Sequence, residues 1–477
     1  MNNQISRPPE STVDRCKASS ELEVGFSDGA FFSSVDAFEA YDSGRSSRFP
    51  NTCTLEGITG SRLVSFNIRY STPRFPSLYN VATRRRGEIF AYGGVVSQDL
   101  GAYVAKLNAE TFEEMWRTHI HIPGHWNYPG VGAVLGDGHV YAVAGNRLAR
   151  VDADTGEQVQ IELPQRPGEG GAAYNGFVVS PDRVIFAKGM EHGIPCDQTS
   201  IQYNGGLGCA VYHNIPSFLV AIDTKTRAVE EPRIIAQTQT EEFILGRLTT
   251  ERRNGVDYIY CPGTSKLWRY KFFREHGRCL IELDREWQIP YVGGGTPGTA
   301  VALMNDWAII VNNGFETFMQ PFTIWAANIH DSRSLHKLQP LQGYPVSQVG
   351  SKPAVDPENR RVFVSDFHAG FALGLDFDPA EGFRVRWQQQ QSMMSFWDVT
   401  GPPDQRQVVG TDYVSSGSDE GDHAVWRDAS TGREVARTPT LNSIYNAMSI
   451  NPGFDGKFYY VEMNGNRIVE ISPAPAR

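Results

Sequence analysis

Asp366 and His368 stand two residues apart in Asp-Phe-His-Ala-Gly, a spacing that places both side chains on one face of a strand. A carboxylate beside an imidazole orients the ring and raises its pKa, the usual preparation for proton transfer near neutral pH. Glu191-His192-Gly193 repeats the pairing of an acid with a histidine, and His125 ends the run His119-Ile120-His121-Ile122-Pro123-Gly124-His125. Two histidines flanking one residue, with a third beyond a Pro-Gly turn, would suit a Zn²⁺ or Fe²⁺ triad. His119 and His121 fall where an outermost strand is expected, however, which leaves His125 as the candidate. Arg247 and Lys352 are the cations placed to bind a substrate carboxylate or stabilise an oxyanion, or else to neutralise Asp366 or Asp398. Nucleophile motifs of the Gly-x-Ser-x-Gly and His-Glu-x-x-His kinds are absent. The Gly-rich segment from Pro290 to Ala300 lacks the Lys-Ser/Thr that a phosphate-binding loop requires.

A second constellation pairs an aromatic residue with Asn or Asp: Tyr79-Asn80, Tyr174-Asn175, Trp397-Asp398 and Tyr445-Asn446, with Trp126-Asn127 a shifted relative. Alternation along a strand sends one member of each pair one way and its neighbour the other. If Asn80, Asn175, Asp398 and Asn446 all point to a common axis, their oxygens make a ring suited to a hard cation such as Ca²⁺. The other reading is that each bonds to neighbouring backbone at a strand start. The aromatic members Trp126, Tyr174, Trp397 and Tyr445 would then wall a pocket with few polar groups.

The elements that must position these residues are repeated hairpins. KLNAETFEEMW from Lys106, RVDADTGEQVQ from Arg150, AIDTKTRAVEE from Ala221, GLDFDPAEGFRVRW from Gly374 and WRDASTGREVA from Trp426 each read strand, polar turn, strand. Weaker versions start at Leu267 and Ile324. Their spacing, roughly 44 to 71 residues, is that of β-propeller blades with insertions. Eight inner strands are expected to begin near Tyr79, Gly130, Tyr174, Leu245, Gly298, Lys352, Trp397 and Tyr445. The last unit supplies three strands, and Leu63 to Ile68 has the alternation to be its missing outer strand, paired with Arg467 to Ile471. The fold class is therefore all-β, a single eight-bladed propeller closed by its two termini, with seven blades the alternative count. Residues 1–60 are read as an extended arm, in which VDAFEAY would form a short helical turn, and 61–477 as the propeller.

Strand order sorts the histidines. In a blade running A to D outward from the channel, D-to-A crossings and B-to-C turns share one face, and His121, His125, His192, His213, His368 and His423 fall there. His139, His276, His330 and His336 fall at the other face. The insertion from Gly189 to Ser217 also belongs to the first face and is long enough to be a lid or binding loop.

The hairpins and blade count resemble the quinoprotein-like propeller superfamily, over residues of about 63 to 472. That resemblance implies the fold. Its catalytic members carry an adjacent cysteine pair beneath pyrroloquinoline quinone, and its haem-bearing members a Cys-x-x-Cys-His motif. This sequence has neither, so pyrroloquinoline quinone and haem are not expected, and Ca²⁺ is the one cofactor the polar residues suit. The six cysteines show no Cys-x-x-Cys spacing, and there is no Asn-x-Ser/Thr sequon. With no secretory leader pattern at the N-terminus and no apolar run near the roughly 20 residues of a membrane span, a cytoplasmic protein with no membrane partner is expected. A formal charge of -10 disfavours nucleic acid. The expected function is an enzyme acting on a small, partly aromatic or apolar molecule at the channel mouth by non-redox acid-base chemistry of the hydrolase, lyase or isomerase/cyclase type. Two alternatives stand beside it: a scaffold binding a protein partner, and a quinone-dependent oxidoreductase. The oligomeric state is not legible.

Overall fold

Each hairpin of the sequence becomes the outer pair of an antiparallel sheet, and eight such sheets form a ring, seven of four strands and the fifth with its inner strand split into Thr296–Pro297 and Ala302–Met304. The computed structural model describes residues 24–72, 74–94, 101–120, 132–165, 172–191, 214–225, 231–290, 296–297, 300–313, 323–344, 352–415, 417, 420–441, 449–462 and 466–476. The repeated turn has a side-chain cause. Asp152 Oδ1 accepts the backbone N–H groups of Asp154 and Thr155, both at 2.8 Å, and Asp428 Oδ1 does the same for Ser430 and Thr431 at 3.0 and 2.8 Å. Asn108, Asn328 and Asp378 repeat the motif. An Asx turn thus reverses the chain in blade after blade, which is why the signal was periodic. Gly432, at φ 70°, completes one of them where a Cβ would also strike the Trp387 ring.

Inner strands begin at Leu78, Gly132, Ala172, Thr249, Thr296, Ala354, Asp398 and Ile450. In blades 4 and 8 the start lies several residues beyond the expected Leu245 and Tyr445. Between blades, buried aromatic rings fill the seams and spend their polar ends on the next sheet. Tyr92 donates its hydroxyl to Val143 O at 2.6 Å, Trp287 Nε1 to Asn328 O at 2.9 Å and Trp387 Nε1 to Ala429 O at 3.1 Å. The ring closes as the alternation requires. Val64–Tyr70 pairs antiparallel with Arg467–Pro475, Ile68 opposite Ile471, completing the eighth blade and removing an open sheet edge.

The segment Val24–Gly60 departs from the sequence reading in its structure. Val35–Tyr41 forms no helical turn; the helix of this region is Leu55–Thr59, capped by the Thr54 side chain. Residues 36–49 run across the channel and bond to inner strands all the way round. Thr83 N donates to Asp36 O, Val134 N to Ala37 O, Thr250 N to Ser43 O, Leu303 N to Gly44 O, Val355 N to Ser46 O and Val399 N to Ser47 O. Val179 bonds to the Ser43 hydroxyl, and Asn451 Nδ2 donates to Asp36 Oδ2 at 2.7 Å. All eight blades are tied to this one strap. Curving it so tightly forces Ala40, Tyr41, Arg45 and Ser47 to positive φ (62, 72, 52 and 56°), a conformation that costs a non-glycine residue about 1 kcal/mol or more and persists where surrounding bonds over-determine it. Among the described residues no helix is long and apolar enough to cross a membrane. Cys53 is disulfide-bonded to a partner outside the described residues, while Cys261 and Cys279 are free thiols. Cysteine spacing did not reveal that bond because disulfides follow distance in the fold, not distance along the chain.

Candidate functional site

Above the strap, at the starts of the inner strands, charged groups meet on the axis. Glu39 of the strap accepts from Arg45 Nη1 at 2.8 Å through one oxygen and from Arg247 Nη1 through the other, and the Tyr79 hydroxyl reaches that second oxygen at 3.4 Å. Arg247 comes from blade 4 and lies over two rings brought from blade 1 and from the crossing into blade 7: its Cζ is 4.8 Å from the centre of Tyr79 and 5.7 Å from that of Phe396. The guanidinium therefore joins the strap to groups from blade 1 and the crossing into blade 7, and with the strap these side chains form a floor at the axis. All of these residues are buried, Arg247 at 7 % exposure and Glu39 at 3 %. Burial alone would raise the Glu39 pKa, but Arg247 and Arg45 together hold it below the usual value.

Asp398 begins the inner strand of blade 7, two residues past Phe396, and is 4 % exposed. Among the described residues its carboxyl group makes no hydrogen bond, and Oδ2 is sealed from solvent. Burial, and then the neighbouring Asp36 carboxylate, push it well above the usual carboxylate range against the pull of Lys352. Asp36 is raised for the same first reason, although Asn451 bonds to it. Lys352 is otherwise engaged: Nζ donates to Arg45 O at 3.0 Å, Ser47 Oγ at 2.6 Å and Pro353 O at 3.4 Å. It fastens the strap to blade 6, and burial lowers its pKa to about 7. Its expected place as a substrate cation is thus taken by a structural task, whereas Arg247 keeps an unbonded edge.

The aromatic-Asn/Asp pairs do not share one orientation. In blade 7 Asp398 faces the axis and Trp397 packs into the seam with Met393 and Phe363. In blade 1 a bulge between Leu78 and Asn80 reverses the pattern: Tyr79 reaches the axis, and Asn80 donates to Gly132 O of blade 2 at 3.2 Å. Tyr174 is also a seam residue, its hydroxyl on Pro164 O at 2.7 Å and its ring so close to Gly189 that a Cβ there would lie 2.6 Å from it. The ring of four inward oxygens therefore loses Asn80, and among the described residues no group of three His, Cys, Asp or Glu could hold a metal ion. The side chains of Asn175 and Glu191 and all of His125, Trp126, Asn127, His192, Tyr445 and Asn446 lie outside the described residues, as do residues 192–213 of the insertion.

His368 is exposed in the B-to-C turn of blade 6. The strand ends at Asp366, so the alternation that would align the two side chains stops there. Asp366 Oδ1 accepts the Ala369 N–H at 2.9 Å, the Asx turn that folds the loop, and no hydrogen bond joins it to His368. His368→Ala is accordingly expected to change turnover on any substrate by less than about twofold, against the 10²- to 10⁴-fold typical of a proton-transfer residue; a larger loss would restore it to the site. His423, assigned to the same face, is a buried strand residue whose Nδ1 lies 2.9 Å from Thr438 O. His119 is exposed on the outermost strand of blade 1, as its position in the sequence indicated.

Asp36, Glu39, Arg45 and Phe396 were not legible as site residues. The available signal was the apolar content of GAFFSSVDAFEAY: Phe31, Phe32, Val35 and Phe38 in a solvated tail would be left without a core.

No protein-family model matches this chain, and no curated protein matches its sequence. Solved structures do resemble it. A europium-containing methanol dehydrogenase superposes with a TM-score of 0.53 at 9 % identity, covering 94 % of this chain and 91 % of that one. Sqt1 from Chaetomium thermophilum gives 0.53 at 10 % identity, covering 86 % and 98 %. The same protein bound to the N-terminus of ribosomal protein L10 gives 0.51 at 10 %, covering 85 % and 98 %. The likeness is one of fold. It agrees with the quinoprotein-like propeller architecture and joins an enzyme with a protein-binding propeller, so function rests on the site itself.

Proposed function

We propose that this protein is an enzyme that binds a small, partly apolar or aromatic molecule over the axial floor and transforms it by non-redox acid-base chemistry, with Asp398 as the proton-transfer group and Arg247 orienting the substrate. The observation that carries this reading is the buried carboxyl of Asp398, which makes no hydrogen bond among the described residues and whose charged neighbours are Asp36 and Lys352, while Arg247 lies over the Tyr79 and Phe396 rings at the same strap. Such a group costs stability, about 1–3 kcal/mol, which a purely structural channel has no reason to bear. A carboxyl group whose pKa burial raises well above the usual carboxylate range can give a proton to a bound molecule and take it back. The resembled dehydrogenase suggests quinone redox chemistry as the competitor. The two described free cysteines, Cys261 and Cys279, sit on the second and outer strands of blade 4 and not at the floor, and no two cysteines are adjacent in sequence. Added pyrroloquinoline quinone is expected to give no stoichiometric absorbance band; a band at one equivalent would make the protein a quinoprotein. The scaffold alternative draws support from the Sqt1 complex with a ribosomal-protein N-terminus.

A thermal-shift screen of small aromatic and alicyclic molecules separates enzyme from scaffold. Compounds that raise the melting temperature of the wild type, and lose that effect in Asp398→Asn, support the axial site. A protein that responds to no small molecule but captures a peptide on its outer face is a scaffold.

A further inference from the structure

Two guanidinium groups, Arg45 and Arg247, share the single carboxylate of Glu39. Arg45 spends its other nitrogens on backbone carbonyls, Nε on Leu248 O at 2.7 Å and Nη2 on Phe177 O at 3.4 Å. Arg247 does not. Among the described residues only its Nη1 is bonded, and neither Nε nor Nη2 is among the sealed, unsatisfied nitrogens. The residue is 7 % exposed, so a nearly buried cation keeps an edge of two parallel donors that no described group bonds. Tyr79 and Phe396 cover its face and fix the plane of that edge. No other acid is ion-paired to Arg247 among the described residues.

We infer that the molecule bound over the floor carries a carboxylate, received edge-on by Nε and Nη2 of Arg247. This deepens the reading of an axial small-molecule site and rests on it. Geometry selects a carboxylate: a guanidinium edge offers two parallel donors whose spacing matches two carboxylate oxygens. The two ring faces beside it suit a flat apolar body attached to that group. Glu39, already bound by the same guanidinium through Nη1, is the chain's own example of the pairing. A phosphate would also bond to Arg247, but its further oxygens would face the Tyr79 and Phe396 ring faces, which donate nothing.

The probes are benzoate, its neutral isostere benzamide, and inorganic phosphate, titrated calorimetrically into the full chain. Benzoate should bind at least about tenfold more tightly than benzamide, and Arg247→Lys should reduce that ratio to about one. Equal affinities for benzoate and benzamide would overturn the carboxylate while leaving a small-molecule site in place; phosphate binding more tightly than benzoate would overturn it in favour of phosphate; absence of benzoate binding up to about 10 mM would overturn it outright. Because Arg247→Lys also loosens Glu39, a second measurement uses the unaltered protein. Phenylglyoxal labelling of Arg247, read by peptide mass spectrometry, should be slowed severalfold by benzoate and not by benzamide. Labelling that benzoate leaves unchanged removes Arg247 as the receiver. The proposed proton transfer is tested separately by Asp398→Asn, so its failure can be told from this one.

Discussion

Replacing Glu39 by alanine should lower the unfolding free energy by about 3–5 kcal/mol, the usual result of removing one partner from a buried ion pair. The variant leaves Arg45 and Arg247 inside the channel with no counter-charge, at 1 % and 7 % exposure. It also releases the strap at the point where Ala40 and Tyr41 are held at positive φ. Glu39→Gln keeps the shape and should cost less. The pH dependence has a definite sign. Glu39 is more acidic in the folded protein than in the unfolded chain, so its contribution is present above about pH 4.3 and is lost as pH falls through the folded value. Wild type and Glu39→Gln should therefore converge in stability on acidification. Denaturant titrations at pH 7 and pH 4 measure both effects, and a Glu39→Ala variant within about 0.5 kcal/mol of wild type would mean that the strap is not fastened through this carboxylate.

Asp398→Asn should reduce turnover by about 10²- to 10⁴-fold and at the same time stabilise the protein. The amide preserves volume and cannot exchange a proton at neutral pH. It also removes a carboxyl whose ionisation burial opposes. Folding raises the pKa of Asp398, so the native state loses ground as pH climbs from about 4 toward the folded pKa, and the gain from Asn should be larger at pH 8 than at pH 5. Up to about 1–3 kcal/mol is at stake, the cost of an unsatisfied buried group. Paired changes in opposite directions are the signature of a residue retained for chemistry. Should turnover survive while stability rises, Asp398 is a flaw in the core and the proton must come from elsewhere.

The architecture was readable because its determinants are local. An Asp or Asn two residues before its bonded N–H, as at Asp152 and Asp428, writes the turn into the chain at each blade. The closing strand was readable from alternation alone. The site was half readable. Asp398 and Arg247 stand out as charges at inner-strand starts, but the inward direction of Tyr79 depends on a bulge between Leu78 and Asn80 that no residue type announces. Asp366 and His368 looked aligned because a strand was assumed to continue where a turn begins. Lys352 could not be assigned without knowing that the strap's carbonyls would meet it. The strap itself was hidden by its partners, which are single bonds to eight different blades in place of one periodic ladder.

A strap bonded to every blade has a consequence for the order of events in folding. Asp36 meets Asn451 across 415 residues of sequence, and Val64–Tyr70 waits for a strand at Arg467–Pro475. Residues 36–70 therefore find these partners only after all the intervening blades have been synthesised. Contacts of such sequence separation place folding at the slow end of the range. Until the eighth blade arrives, the strap and an incomplete ring remain open to wrong associations. Once the ring has closed around it, the strap can leave only if blades part, so local fraying gives way to a single cooperative opening with a high barrier. Such a protein should be guarded more by the rate at which it unfolds than by the depth of its energy well.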